Sequence, residues 1–137
     1  MTSEPFQEDG LIFNVGVDCE DVERWRKMLL KLRNGPQAKL FSSSEHRYCS
    51  SFKDPAPHYA ARWCAKEALV KAVSPFCQID LRKVEVVNHQ DGRPYFLLND
   101  PEAATLNLAI RVSLAHTRKT AMAVVMVASA EKAQKKY

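Results

Sequence analysis

The segment Ala60-Ala-Arg-Trp-Cys-Ala-Lys-Glu-Ala-Leu-Val-Lys-Ala72 constrains this chain more than any other. It is rich in alanine and free of proline and glycine, so it reads as helix. At about 100° per residue, Cys64, Ala65, Ala68, Leu69 and Ala72 form one apolar arc. Glu67 and Lys71 lie side by side on one border of that arc, and Arg62 and Lys66 lie near the other. Trp63 and Val70 interrupt the face between them. A helix lying on a surface shows one unbroken polar side, so this one is expected to pack on two sides with its charges in grooves. A partly desolvated Glu or Lys in a groove needs a partner, and phosphates or a metal ion would serve. A plainer reading stays open: Glu67 and Lys71 as an exposed i, i+4 pair worth about 0.2–0.5 kcal/mol, and Trp63 as core.

Around this helix the chain alternates between strand and helix periods. Leu11, Phe13, Val15 and Val17 share one face of a strand over Leu11–Asp18, in which Gly16 permits close approach of another backbone or a ligand. Cys19–Arg33 takes helical period, with Val22, Trp25, Met28, Leu29 and Leu32 on one side, and Gly35-Pro36 stops it. Asp18 then reads either as a site residue or as the cap of this helix. Arg24, Lys27 and Lys31 form a basic edge. Ser42-Ser-Ser-Glu45 matches a capping box. The central helix is expected over His58–Val73, ending at Ser74-Pro75. Val84–Val87 and Tyr95–Leu98 read as a hairpin closed by His89–Pro94. Asn99-Asp-Pro-Glu102 opens a short helix with proline at its first position. Ile110–Leu114 and Ala121–Ala128 are two further strands joined by the turn His116–Lys119. This order predicts an α+β fold with a largely antiparallel sheet packed with helices. One domain over residues 11–130 is expected, with tails at 1–10 and 131–137.

Composition narrows the class without naming a function. The 137 residues are 46% hydrophobic and 26% charged, with net charge +4 and pI about 8.9. The basic excess admits an acidic partner or a phosphate-bearing ligand, and equally a solvated surface. Cys19, Cys49, Cys64 and Cys77 form no C-x-x-C pair, which argues against zinc and for a reducing, cytosolic setting. No apolar run reaches the roughly 18 residues of a membrane span. Aromatic–basic interleaving of the nucleic-acid-binding kind is absent.

Five ordered blocks carry a resemblance. They are Val15-Gly-Val-Asp18 with Glu23-Arg24, Phe41-Ser-Ser-Ser-Glu45 with Tyr48-Cys49, Arg62–Ala72, Val84-Glu-Val86 with Asp91-Gly-Arg-Pro94, and Val112–Thr117. Together they span Gly16–Val127 and resemble the phosphopantetheinyl transferases of the holo-acyl-carrier-protein synthase type, in the short single-unit form. The chain departs from that pattern at Ser74-Pro75, where a glycine turn is usual, at Cys19, where an aliphatic is usual, and at Ala115, where a hydroxyl residue is usual.

The resemblance implies magnesium-dependent transfer of 4′-phosphopantetheine from coenzyme A to a carrier-protein serine, releasing adenosine 3′,5′-bisphosphate. Asp18 and Glu67 would be the metal ligands, with Glu67 also the candidate for activating the serine. Lys71 would stabilise the leaving phosphate. Arg62, Lys66, His116 and Thr117 would bind the nucleotide end, and Arg24, Lys27 and Lys31 would dock the carrier. It further implies a homotrimer with shared sites. Two other readings remain: a catalytically altered paralogue, and a basic binding module without transferase activity.

Overall fold

The structure is a computed structural model and describes residues 12–31 and 36–129; the expected tails lie outside the described residues. Three strands form an antiparallel sheet in the order β1 (Ile12–Asp21), β5 (Thr120–Ser129), β4 (Leu108–His116). Register pairs Asp18 with Ala123 and His116 with Ala121. A second sheet is the hairpin β2 (Val84–Asn88) with β3 (Pro94–Leu98), whose tight turn uses Gly92 at φ 90°. The helices are α1 (Val22–Leu29), α2 (Ser43–Ser50), α3 (Ala56–Val73) and α4 (Pro101–Thr105). The α+β class and antiparallel pairing are as the sequence predicts.

Helix α3 is the hub. Cys64, Ala65, Ala68, Leu69 and Ala72, the predicted arc, are wholly buried. Sheet residues Ala121, Ala123, Val125 and Val127 join them in the core. On another side Trp63 meets Trp25 of α1, ring centroids 6.2 Å apart. Packing on two sides is therefore borne out. The capping box is too: Ser42 Oγ accepts from the Glu45 amide at 3.1 Å, and Glu45 Oε1 accepts from the Ser42 amide at 2.9 Å.

Strand β1 departs from expectation in its length and in the face that it buries. It runs on to Asp21, so Cys19 begins no helix, and Asp21 caps α1 by accepting from the Glu23 amide. That removes the capping role considered for Asp18. Its apolar face also points away from the core. Phe13 and Val15 are each 60% exposed, whereas Asn14, Gly16 and Asp18 face α3. Asn14 Nδ2 donates to the carbonyls of Lys71 and Ala72.

Gly16 explains why this face is inward. A Cβ there would stand 2.0 Å from the Ala68 carbonyl oxygen and 2.9 Å from the Ala72 nitrogen, both backbone atoms that cannot swing aside. Gly16→Ala is expected to separate strand and helix and to lower stability by about 1–3 kcal/mol, as overpacking does. Chemical denaturation measures this, and an unchanged midpoint would mean the contact is looser than described.

Candidate active site

Asp18 lies near the end of β1, its side chain directed at α3. Lys71, in the last turn of α3, reaches back across the strand: its Nζ donates to the Val17 carbonyl at 3.0 Å and to Asp18 Oδ1 at 3.4 Å. The Lys71 side chain is still 56% exposed, so it remains free to meet a ligand. The second carboxylate oxygen, Asp18 Oδ2, is buried and has no partner in good hydrogen-bond geometry; the weakly donating Cys64 thiol is the protein group beside the Asp18 carboxyl. A carboxylate oxygen so poorly satisfied calls for an absent donor or cation.

Glu67 stands one turn before Lys71 and is half-buried. Burial is the main reason its carboxyl is held above the usual carboxylate range; the Asp18 charge adds to this, while Lys71 pulls it down. The β1 edge thus gathers two carboxylates and one ammonium. Among the described residues, no group of three or more His, Cys, Asp or Glu side chains is arranged to hold a metal by itself. Two carboxylates, one with a poorly satisfied oxygen, suit instead a hard ion such as magnesium, which takes one or two carboxylates and completes its shell with water and substrate phosphate.

Glu20 is the residue that sequence reasoning passed over. Two positions past Asp18 on the same strand, it faces the same way, adds to the upward shift of Glu67 and accepts from Trp25 Nε1 at 3.3 Å. The i, i+2 spacing carried that signal, but it was hidden by assigning Cys19 onward to a helix.

The other expected residues fall elsewhere. Lys66 is wholly buried, and its Nζ pairs with Glu45 Oε1 at 2.8 Å while also donating to the Leu40 carbonyl. The expectation that it meets the nucleotide is not met by this geometry: its ammonium lies inside the core and donates to two protein oxygens. Arg62 is 3% exposed; its Nη2 donates to Asn88 Oδ1 at 3.2 Å, its guanidinium lies 3.7 Å over the Tyr48 ring, and its Nε is buried without a partner. His116 closes β4 and is exposed, its ring 5.2 Å from that of His58. Thr117 Oγ1 accepts from the amides of Lys119 and Thr120, so it organises the β4–β5 turn.

Because β1 and β4 are opposite edges of the sheet, these residues form two groups. Asp18, Glu67 and Lys71 gather at one edge. His58 and His116 meet at the other, and the Tyr48 ring links them to Arg62. On α1, Arg24 is exposed and only loosely paired with Glu20 at 3.9 Å, and Lys27 is exposed. Lys31 lies beyond the helix, which ends at Leu29, so the basic edge is shorter than predicted. No helix among the described residues is long and apolar enough to cross a membrane.

The family model of the 4′-phosphopantetheinyl transferase superfamily matches residues 14–125. A holo-[acyl-carrier-protein] synthase of Cytophaga hutchinsonii is 36% identical over 124 residues, covering 85% of this chain and 97% of that protein. The structure of an acyl carrier protein synthase from Mycobacterium tuberculosis, 36% identical, superposes with TM-score 0.64 over 83% of this chain and 95% of that one. A holo-(acyl-carrier-protein) synthase from Bacillus anthracis in complex with CoA (3′,5′-ADP) is 25% identical, with TM-score 0.69 over 87% and 98% of the two chains.

Proposed function

The chain belongs to the 4′-phosphopantetheinyl transferase superfamily, and from that premise we propose that it transfers 4′-phosphopantetheine from coenzyme A to a serine of an acyl carrier protein, releasing adenosine 3′,5′-bisphosphate. The observation that carries the chemistry is the β1 edge, where Asp18 keeps an oxygen without a partner in good hydrogen-bond geometry beside a raised Glu67 and a reachable Lys71.

The carrier serine oxygen attacks the phosphorus that bears pantetheine, and the bond from that phosphorus to the oxygen of the departing nucleotide phosphate breaks. Glu67, its carboxylate already inclined to take a proton, accepts the one lost by the serine. Lys71 balances the charge that gathers on the leaving phosphate, a task for a positioned cation. Asp18 and Glu67 would hold magnesium, which supplies further charge neutralisation on the pyrophosphate. Arg62 and His116 would bind the nucleotide end. Arg24 and Lys27 would meet acidic carrier residues, speeding encounter by charge steering.

We infer a homotrimer in which the β1 edge of one subunit faces the β4 edge of the next. The two groups of site residues lie on opposite edges, which suits a site completed between copies. The outer face of the sheet exposes Phe13, Val15, Val17, Met122, Val124 and Met126, an apolar surface that favours a covering partner. The number three comes from the resemblance. Four free cysteines suit a reducing cytosol.

One experiment addresses both. The chain is incubated with coenzyme A, magnesium and several apo-carriers, and the products are weighed. A carrier should gain about 340 Da, the mass of the arm, and native mass spectrometry of the enzyme should report three copies. No gain on any carrier would sink the transferase reading, and a monomer that still transfers would sink the shared site.

A further inference from the structure

We propose that His58 is a second phosphate-binding histidine, acting with His116 and Arg62 on one phosphate of the coenzyme A nucleotide. This rests on the reading above, in which His116 and Arg62 hold the nucleotide end.

The geometry begins with a run of rings. Phe52 lies on His58 with centroids 3.5 Å apart and planes 15° from parallel. His58 in turn meets His116 edge-on at 5.2 Å and 72°. Tyr48 stands nearly perpendicular to both Phe52 and His58, and Arg62 lies over the Tyr48 ring. Residues from α2, α3 and β4 are thereby held in one cluster of two imidazoles and a guanidinium, with His116 exposed, His58 half-buried and Arg62 buried beneath the surface. Phe52 fixes the plane of His58, so its ring has little freedom to turn away.

Two further observations point to an anion. The Nε of Arg62 is buried and unpartnered in a side chain only 3% exposed, and an acceptor from outside the chain would satisfy it. The N-terminus of α3 has Pro55 as its cap residue, and His58 lies in its first turn. Asp54 accepts from the Ala56 amide there, so the remaining amides of the first turn lie beside the same cluster.

The groups facing His58 are Arg62 on its own helix, Asp54 before it, Tyr48 on α2 and His116 on β4. Asp54 is the one carboxylate of this set, and it is paired with Arg26 at 2.7 Å. Burial chiefly, then His116 and Arg62, hold His58 below the usual histidine range, with Asp54 opposing. A phosphate seated among these groups would reverse the balance by favouring the imidazolium. Binding should then take up a proton, and affinity should rise as pH falls.

The test is calorimetric titration of the full chain with adenosine 3′,5′-bisphosphate, at about pH 6 and about pH 8, in two buffers of different ionisation heat. Wild type is compared with His58→Phe and His116→Phe. Phenylalanine keeps the stack on Phe52 and removes the proton site. His58→Phe should bind roughly tenfold more weakly than wild type at the lower pH and nearly alike at the higher, with less proton uptake. His116→Phe should lose affinity at both. Wild-type proton uptake in His58→Phe, or an equal loss at both pH values, would overturn the role of His58 and leave the transferase reading standing. A wild-type chain that does not bind the nucleotide would remove both.

Discussion

Glu67→Gln is expected to keep the fold and to lose transfer by about a hundredfold to ten-thousandfold. Glutamine preserves shape and one acceptor oxygen but can neither hold a divalent cation as a carboxylate does nor accept the serine proton. Folding should be spared for a physical reason. The folded chain already disfavours the Glu67 charge, because burial and Asp18 raise its pKa. A neutral residue removes that penalty, so the thermal midpoint should stay level or rise slightly. The informative result is the combination: holo-carrier formation lost in mass spectrometry, with unfolding and adenosine 3′,5′-bisphosphate binding kept. A catalytically altered paralogue predicts no change, since there would be little rate to lose. Wild-type-like rates would take Glu67 out of the mechanism.

What could be read beforehand, and what could not, separates along physical lines. The capping box at Ser42, the proline-initiated helix at Pro101, the Gly92 turn and the arc of α3 are set by local geometry, and each lies where the sequence puts it. Periodicity also divides β1 into two faces, but it does not say which one is inside. The apolar face of Phe13, Val15 and Val17 is outward because the backbone of α3 leaves room only for Gly16 against it. The start of α1 is ambiguous in the sequence for a similar reason: Cys19-Glu20-Asp21 is too short to distinguish a strand end from a helix start. The same ambiguity hides Glu20 beside Asp18. Within the site, the border position of Glu67 and Lys71 on the helix was legible, since both lie on one side of α3. Their neighbour Asp18 was legible only as part of a motif, 53 residues from Lys71. The meeting of His58 with His116 depends on tertiary packing alone. So does the depth of Lys66, because a helical wheel gives direction and not burial.

Lys66 therefore yields the largest expected effect on stability. Its side chain and that of Glu45 are both fully buried. Glu45 does more than cap α2: Oε1 takes the Lys66 ammonium and the Ser42 amide, and Oε2 accepts from the Val86 amide at 3.2 Å. One carboxylate thus ties α2, α3 and β2 together, and Lys66 adds the Leu40 carbonyl. Burial pushes the Lys66 ammonium below its usual range, and Glu45 restores part of this, so each charge is tolerated because of the other. Lys66→Met leaves the Glu45 carboxylate buried and uncompensated, a change that costs about 3–5 kcal/mol. That is roughly a fifth or more of the stability of an ordinary domain. Adding Glu45→Gln removes the stranded charge while keeping an acceptor for the Ser42 amide. The double variant should recover most of the loss, and denaturation midpoints for the four proteins of the cycle measure the coupling. If Lys66 belongs to the nucleotide site instead, Lys66→Met would leave the midpoint near wild type and weaken adenosine 3′,5′-bisphosphate binding, and the second substitution would rescue nothing.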